Sequence, residues 1–266
     1  MGVRRMAALG SSFAAGPGIE PVVDKAARRS GRNYAHLVAQ RLGAELVDLT
    51  VSGATTETIL DKSQRVFGRT FAPQISGVPS DADLVTVTVG GNDLRYGGTM
   101  IRLGAAGRLE ERALTRPLGA LLRRPVPDPT VADIDRVVDA VVRVVRTVRE
   151  KATGARVLLV DYLTMIGPHT APRRETPFDD ATLAALRRLG ERVTEVFATA
   201  AARSEAELVH AGERSLDHAI GSKDPWVLGL ADRWRDMGRS IPFHPNAAGM
   251  AAVADMIMEQ LDADPQ

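Results

Sequence analysis

Four short segments, far apart in the chain, hold side chains of the kinds that acyl transfer needs. Gly10-Ser11-Ser12-Phe13 offers two hydroxyls. Ser52-Gly53-Ala54-Thr55 offers a backbone N–H beside a glycine. Gly90-Gly91-Asn92-Asp93 offers a carboxamide and a carboxylate, and Phe243-His244-Pro245-Asn246 an imidazole. A serine hydroxyl is a weak nucleophile until a neighbouring base takes its proton. An imidazole of ordinary pKa, about 6.5, can do so and would titrate between about pH 5 and 8. The developing oxyanion then needs fixed hydrogen-bond donors. Taken singly, each residue has an ordinary explanation. Ser12 could cap a helix, Asn92 could serve a turn, Gly53 could permit an unusual backbone angle, and Asp93 could stabilise a turn or cap a helix.

The elements around these segments give them weight. Met6–Gly10, Glu45–Val51, Leu84–Val89, Val157–Val160 and Glu207–Val209 read as short apolar strands. The third, LVTVTV, is β-branched and continuous, as expected of a strand buried on both faces. Between them lie stretches of helical spacing: Tyr34 to Leu42, Ile134–Val148, Leu183–Ala202 and finally Ala247–Leu261. Strand–helix alternation predicts a parallel sheet with helices on both faces. Ligands of such sheets bind beyond the carboxyl ends of the strands. The first three segments each follow a predicted strand, and the fourth precedes the last helix. His244, followed by Pro245, is held extended at the start of that helix.

Composition narrows the field. At 266 residues, with 44% hydrophobic and 25% charged, the chain suits a folded α/β domain. No second core is visible, so residues 1–266 read as one domain. The 34 basic and 33 acidic residues leave a net charge of +1, giving no electrostatic case for a nucleic-acid binder. The absence of cysteine removes disulfides, thiolate metal sites and a Cys nucleophile. Carboxylate–His or His-x-x-x-His spacing on one helix is absent, so zinc is not expected. The glycines make neither a P-loop nor a dinucleotide fingerprint. No apolar run spans a membrane, and the N-terminus lacks a signal h-region, so a cytoplasmic location is expected. The stretch of about 95–130 stands apart, with seven Arg against three acidic residues and a Pro-rich end. It reads as a lid-like or substrate-binding excursion, or equally as a solvated basic insertion.

In this order the four segments resemble the conserved blocks of the SGNH hydrolases, the GDSL esterase/lipase family. The resemblance covers nearly the whole chain. It implies a flavodoxin-like three-layer α/β/α sandwich with a five-stranded parallel sheet in the order 2-1-3-4-5. It also implies a serine esterase or lipase with Ser12 as nucleophile, His244 as general base, and Ser12, Gly53 and Asn92 as the oxyanion hole. No cofactor or metal is implied. The expected partner is a small-molecule ester, with lipid or acyl-chain substrates within range. The same parts would serve an acyltransferase or a deacetylase of a sugar or natural product, and a non-catalytic binding protein could retain the fold. Two departures stand out. Position 11 is Ser where the family has Asp, which places a rival hydroxyl beside Ser12. Position 241, three before His244, is Ile where the family has Asp. The His-orienting group is then either the Ile241 carbonyl or a carboxylate from nearby, Asp232 or Asp236. Asp93 and Trp226 are further substrate-binding candidates, Trp226 and Trp234 flanking an apolar patch before His244.

Overall fold

The computed structural model describes residues 2–231 and 241–263. The chain begins with β1 (Arg5–Gly10) and a single helical turn, α1 (Ser12–Ala15). The β2–β3 hairpin (Val22–Asp24, Arg29–Ser30), α2 (Tyr34–Leu42), β4 (Glu45–Asp48), α3 (Thr56–Leu60) and the β5–β6 hairpin (Gln64–Val66, Arg69–Phe71) follow. Next come β7 (Leu84–Thr88), α4 (Tyr96–Glu110), α5 (Arg116–Leu122), α6 (Val131–Lys151) and β8 (Arg156–Val160). The chain then runs through α7 (Asp180–Ser204), β9 (Glu207–Val209), α8 (Ala211–Arg214) and α9 (Ala247–Asp262).

Strands β4, β1, β7, β8 and β9 form one sheet in that order, every neighbouring pair parallel. Counted along the chain, these five strands stand in the order 2-1-3-4-5, the expected sandwich topology. Ala7 pairs with Val47 on one side and Val85 on the other, and Val85 pairs with Val157. All five residues of β7 are buried, so helices cover both faces. On one face α2 packs against α9, and on the other α6 packs against α7 and α3. The valines of α6 form its buried side, from Val137 to Val148. This helix is longer than the apolar spacing predicts, because Thr130 and Asp133 form a capping box a turn before Ile134.

Sequence patterning does not predict the two hairpins or α4–α5. Each hairpin strand has two or three residues, too few to show an alternation. The excursion at 95–130 is a helical hairpin and an extended return, with α4 seated against the body of the protein. A Cβ on Gly104 of α4 would lie 2.8 Å from the Phe243 ring, so this helix sits directly over the residue preceding His244.

Candidate active site

β1 ends in a turn that only glycine fits. A Cβ at Gly10 would lie 2.6 Å from the Thr88 carbonyl oxygen of the neighbouring strand. The buried side chain of Gln74 grips the same residue twice: its Oε1 accepts from Gly10 N–H at 2.8 Å, and its Nε2 donates to the Gly10 carbonyl at 3.0 Å. Ser11 N–H donates to Thr88 at 3.0 Å. This brace delivers Ser12, the first residue of α1, to the carboxyl end of the sheet.

His244 reaches the same point from the other end of the chain. Its Nε2 lies 2.8 Å from Ser12 Oγ, and its Nδ1 lies 2.9 Å from the Pro242 carbonyl oxygen. A carbonyl can only accept, so Nδ1 carries the proton and Nε2 presents its lone pair to the Ser12 O–H. The acceptor is therefore Pro242 and not the Ile241 carbonyl expected from the sequence. Phe243, buried with a φ of 59°, turns the chain so that the carbonyl two residues before His244 folds beneath the ring. Asp232 and Asp236, the alternative orienting groups, lie outside the described residues, as does Trp234. A strap at 226–228 holds this turn. Phe243 N–H donates to the Leu228 carbonyl at 2.7 Å, and Leu228 N–H donates back to the His244 carbonyl at 3.0 Å.

His244 is 5% exposed, and its ring packs against Phe13 with centroids 5.6 Å apart. Burial disfavours the imidazolium and lowers its pKa to about 4. The Pro242 hydrogen bond works in the opposite direction, and the charge of Arg28 adds to the lowering. The imidazole is thus a neutral acceptor throughout the physiological range.

Three donors stand near the hydroxyl's end of the sheet. The backbone N–H groups of Ser12 and Gly53 have no partner among the described residues. Gly53 adopts a φ of 85°, where glycine is favoured, and its loop is braced by Gln64, whose Nε2 donates to the Ser52 carbonyl at 2.9 Å. The Asn92 carboxamide donates one N–H to the Ala54 carbonyl at 2.9 Å, which fixes the amide and leaves its second N–H available. The arrangement brings together a hydroxyl, an imidazole of fixed tautomer and backbone and carboxamide N–H groups, the kinds of group that acyl transfer uses.

The sequence profile of the GDSL-like lipase/acylhydrolase family matches residues 8–252. The chain belongs to this family. Lipase 2 of Streptomyces coelicolor is 29% identical over 273 residues, covering 97% of this chain and 85% of the relative. The fold is also that of the phospholipase A1 of Streptomyces albidoflavus, with a TM-score of 0.73 at 20% identity, covering 97% of this chain and 99% of that one. The extracellular lipase of Streptomyces rimosus aligns with a TM-score of 0.71 at 21% identity, over 96% and 99% of the two chains.

This GDSL-family member settles its two adjacent hydroxyls by burial. Ser11, 1% exposed, turns inward, with its Oγ 3.0 Å from the Tyr162 hydroxyl, which also accepts from Gly91 N–H at 3.3 Å. The Ser11–Tyr162 pair links the first and third blocks where the family has a carboxylate at position 11. A Cβ on Gly91 would strike the Tyr162 ring at 2.8 Å, which explains the second glycine of that block.

Two further candidates make contacts within the fold. Asp93 is engaged within the protein. Its carboxylate accepts from the Thr56 hydroxyl at 2.6 Å and from Thr56 N–H at 3.2 Å, tying the Asn92 loop to the first turn of α3. Burial raises its pKa against these hydrogen bonds. Trp226 stacks on His218, with ring centroids 3.7 Å apart and planes 2° from parallel, and its carbonyl accepts from Asn246 N–H at 2.9 Å. It buttresses the start of α9. Tyr162 and Gln74 were not singled out from the sequence. Tyr162 lies just past the end of β8, where the strand-end rule could have found it; Gln74 carries no signal of its own. A cavity of about 450 Å³ lined by Tyr96, Leu163, Ile166 and Leu216 shares Tyr162 with the site, but neither Ser12 nor His244 lines it.

Proposed function

We propose that this protein is a serine ester hydrolase that works through an acyl-enzyme on Ser12, with a Ser12–His244 dyad in place of a triad. The observation that carries this reading is the 2.8 Å contact between Ser12 Oγ and His244 Nε2, with Nδ1 bound to the Pro242 carbonyl. His244 Nε2 takes the hydroxyl proton as Ser12 Oγ attacks the ester carbonyl. The N–H groups of Ser12 and Gly53 and the free N–H of Asn92 hold the oxyanion. The imidazolium then passes its proton to the departing alkoxide, and the carbonyl–alkoxide bond breaks. Water, deprotonated by the same nitrogen, attacks the acyl-enzyme and frees Ser12. The Pro242 carbonyl fixes the tautomer and, as a dipole, offsets part of the imidazolium charge, the task a carboxylate performs in a triad.

The family's membership and the lipase names of its relatives support a carboxylic ester as substrate. The braced dyad argues against a non-catalytic protein that merely keeps the fold. A fluorophosphonate probe tests the reading. It should label the wild-type protein at Ser12, in proportion to loss of hydrolysis of a short-chain aryl ester. Equal labelling of folded Ser12→Ala, or none of the wild type, overturns it.

A further inference from the structure

Helix α5 and the turn before it expose a row of leucines that the site does not use. Leu114 is 93% exposed, Leu118 56% and Leu121 75%. Spacings of four and three residues set them along one side. The opposite side is locked. A Cβ on Gly119 would lie 2.7 Å from the Ala106 carbonyl oxygen, so α5 rests directly on α4. Arg102 donates to the Leu122 carbonyl at 2.9 Å, Arg123 grips Glu110 at 3.0 and 2.6 Å, and Thr115 Oγ1 donates to the Leu109 carbonyl at 2.6 Å. Seven residues are too few to hold a helix alone in water. Here α4 holds it, with Leu114, Leu118 and Leu121 exposed.

Arginine prevails along this stretch, with Arg112, Arg116, Arg123 and Arg124 against Glu110 and Glu111. Arg112, Arg116 and Arg124 are exposed and make no ion pair among the described residues. The acidic groups nearest in sequence are already engaged, Glu110 by Arg123 and Glu111 by Arg108. An apolar row flanked by exposed guanidinium groups is the pattern of a helix that lies in a lipid–water boundary. A second copy of the chain fits it poorly, since a two-fold contact would bring the same arginines face to face. We infer that the α4–α5 hairpin docks this protein on an anionic lipid surface. Leu114, Leu118 and Leu121 enter the apolar layer, and Arg112, Arg116 and Arg124 rest among the negative headgroups. Because α4 starts beside Asn92 and crosses Phe243 at Gly104, docking would set the Ser12 site at a fixed height and angle to that surface. The inference does not depend on the ester chemistry.

Co-sedimentation with large unilamellar vesicles of diether lipids, which have no ester to cleave, tests it. The wild-type protein should bind phosphatidylglycerol vesicles at least about tenfold more tightly than phosphatidylcholine vesicles, with the difference shrinking in high salt. Leu118→Ser with Leu121→Ser should lower partitioning onto phosphatidylglycerol by about tenfold or more, leaving thermal unfolding and hydrolysis of a soluble aryl ester unchanged. The Arg112→Gln, Arg116→Gln, Arg124→Gln protein should lose the preference for phosphatidylglycerol, whatever the leucine variant does. Absence of binding, equal binding to both lipids, or a dimer in sedimentation velocity that the leucine changes dissolve would overturn the inference.

Discussion

The Nδ1 of His244 lies 2.9 Å from the carbonyl oxygen of Pro242, two residues earlier in the same turn. In the proposed dyad this local contact takes the position of a triad carboxylate, and it brings no negative charge to hold a proton on the ring. Burial then dominates, and the pKa falls to about 4.

The pH profile should reflect this. In the proposed mechanism the active form is neutral His244, so kcat/KM should be level between about pH 5 and 8 and fall as pH drops through about 4. An unburied histidine would instead lose activity near its ordinary value, about 6.5. Rates on a short-chain aryl ester, with circular dichroism at each pH to exclude unfolding, decide between the two. A limb near 6.5 would show that the ring is better solvated than the structure indicates.

The same shift affects stability. In the unfolded chain His244 binds a proton below about 6.5, whereas in the folded chain it does so only below about 4. Its share of stability is therefore complete above 6.5 and is lost as pH falls from 6.5 to 4, roughly 3 kcal/mol over the window. Denaturant unfolding of wild type and His244→Gln at pH 7.5 and 4.5 should show a smaller acid loss in the variant. Parallel losses would refute the linkage.

Ser11 and Ser12 should respond very differently to alanine. Ser12→Ala should abolish turnover with the fold intact. Ser11→Ala removes the partner of the Tyr162 hydroxyl in a buried position, at a cost of about 1–3 kcal/mol in stability, with a modest loss of rate. Melting curves beside steady-state kinetics separate the two. A dead Ser11→Ala beside an active Ser12→Ala would move the nucleophile by one residue.

Asn92→Ala should lower kcat by about 100- to 1000-fold with little change in KM, as expected when one oxyanion donor costs about 2.7–4 kcal/mol of barrier. An effect on KM alone would assign Asn92 to ground-state binding.

Gln74→Ala should weaken both stability and rate. It frees the Gly10 N–H in a buried setting, at about 1–3 kcal/mol, and loosens the turn that delivers Ser12. If kcat holds while stability falls, the brace serves folding only.

Much of this protein is readable along the chain because its cues are local. Continuous β-branched runs such as Leu84–Thr88, the valine spacing of α6 and the glycines at strand ends follow from backbone periodicity and sterics, which nearby residues decide. Hydroxyl and carboxamide types at those strand ends, with an imidazole before the last helix, are the parts acyl transfer needs. Other features depend on contacts between distant parts of the chain. Sequence could not show that Ser11 turns inward to Tyr162, 151 positions away, while Ser12 turns to His244, 232 positions away. Nor could it show that Gln74 clamps Gly10, or that the Asp93 carboxylate is consumed by Thr56. Ile241 and Pro242 are neighbours with equivalent carbonyls. The left-handed turn at Phe243, held by the strap at Leu228, alone selects Pro242 as the acceptor. Residue types and their spacing say which chemical groups follow the strands and which precedes the last helix. Only the tertiary structure decided which of them meet and how they are charged, because hydrogen-bond direction and burial depend on what packs against each group.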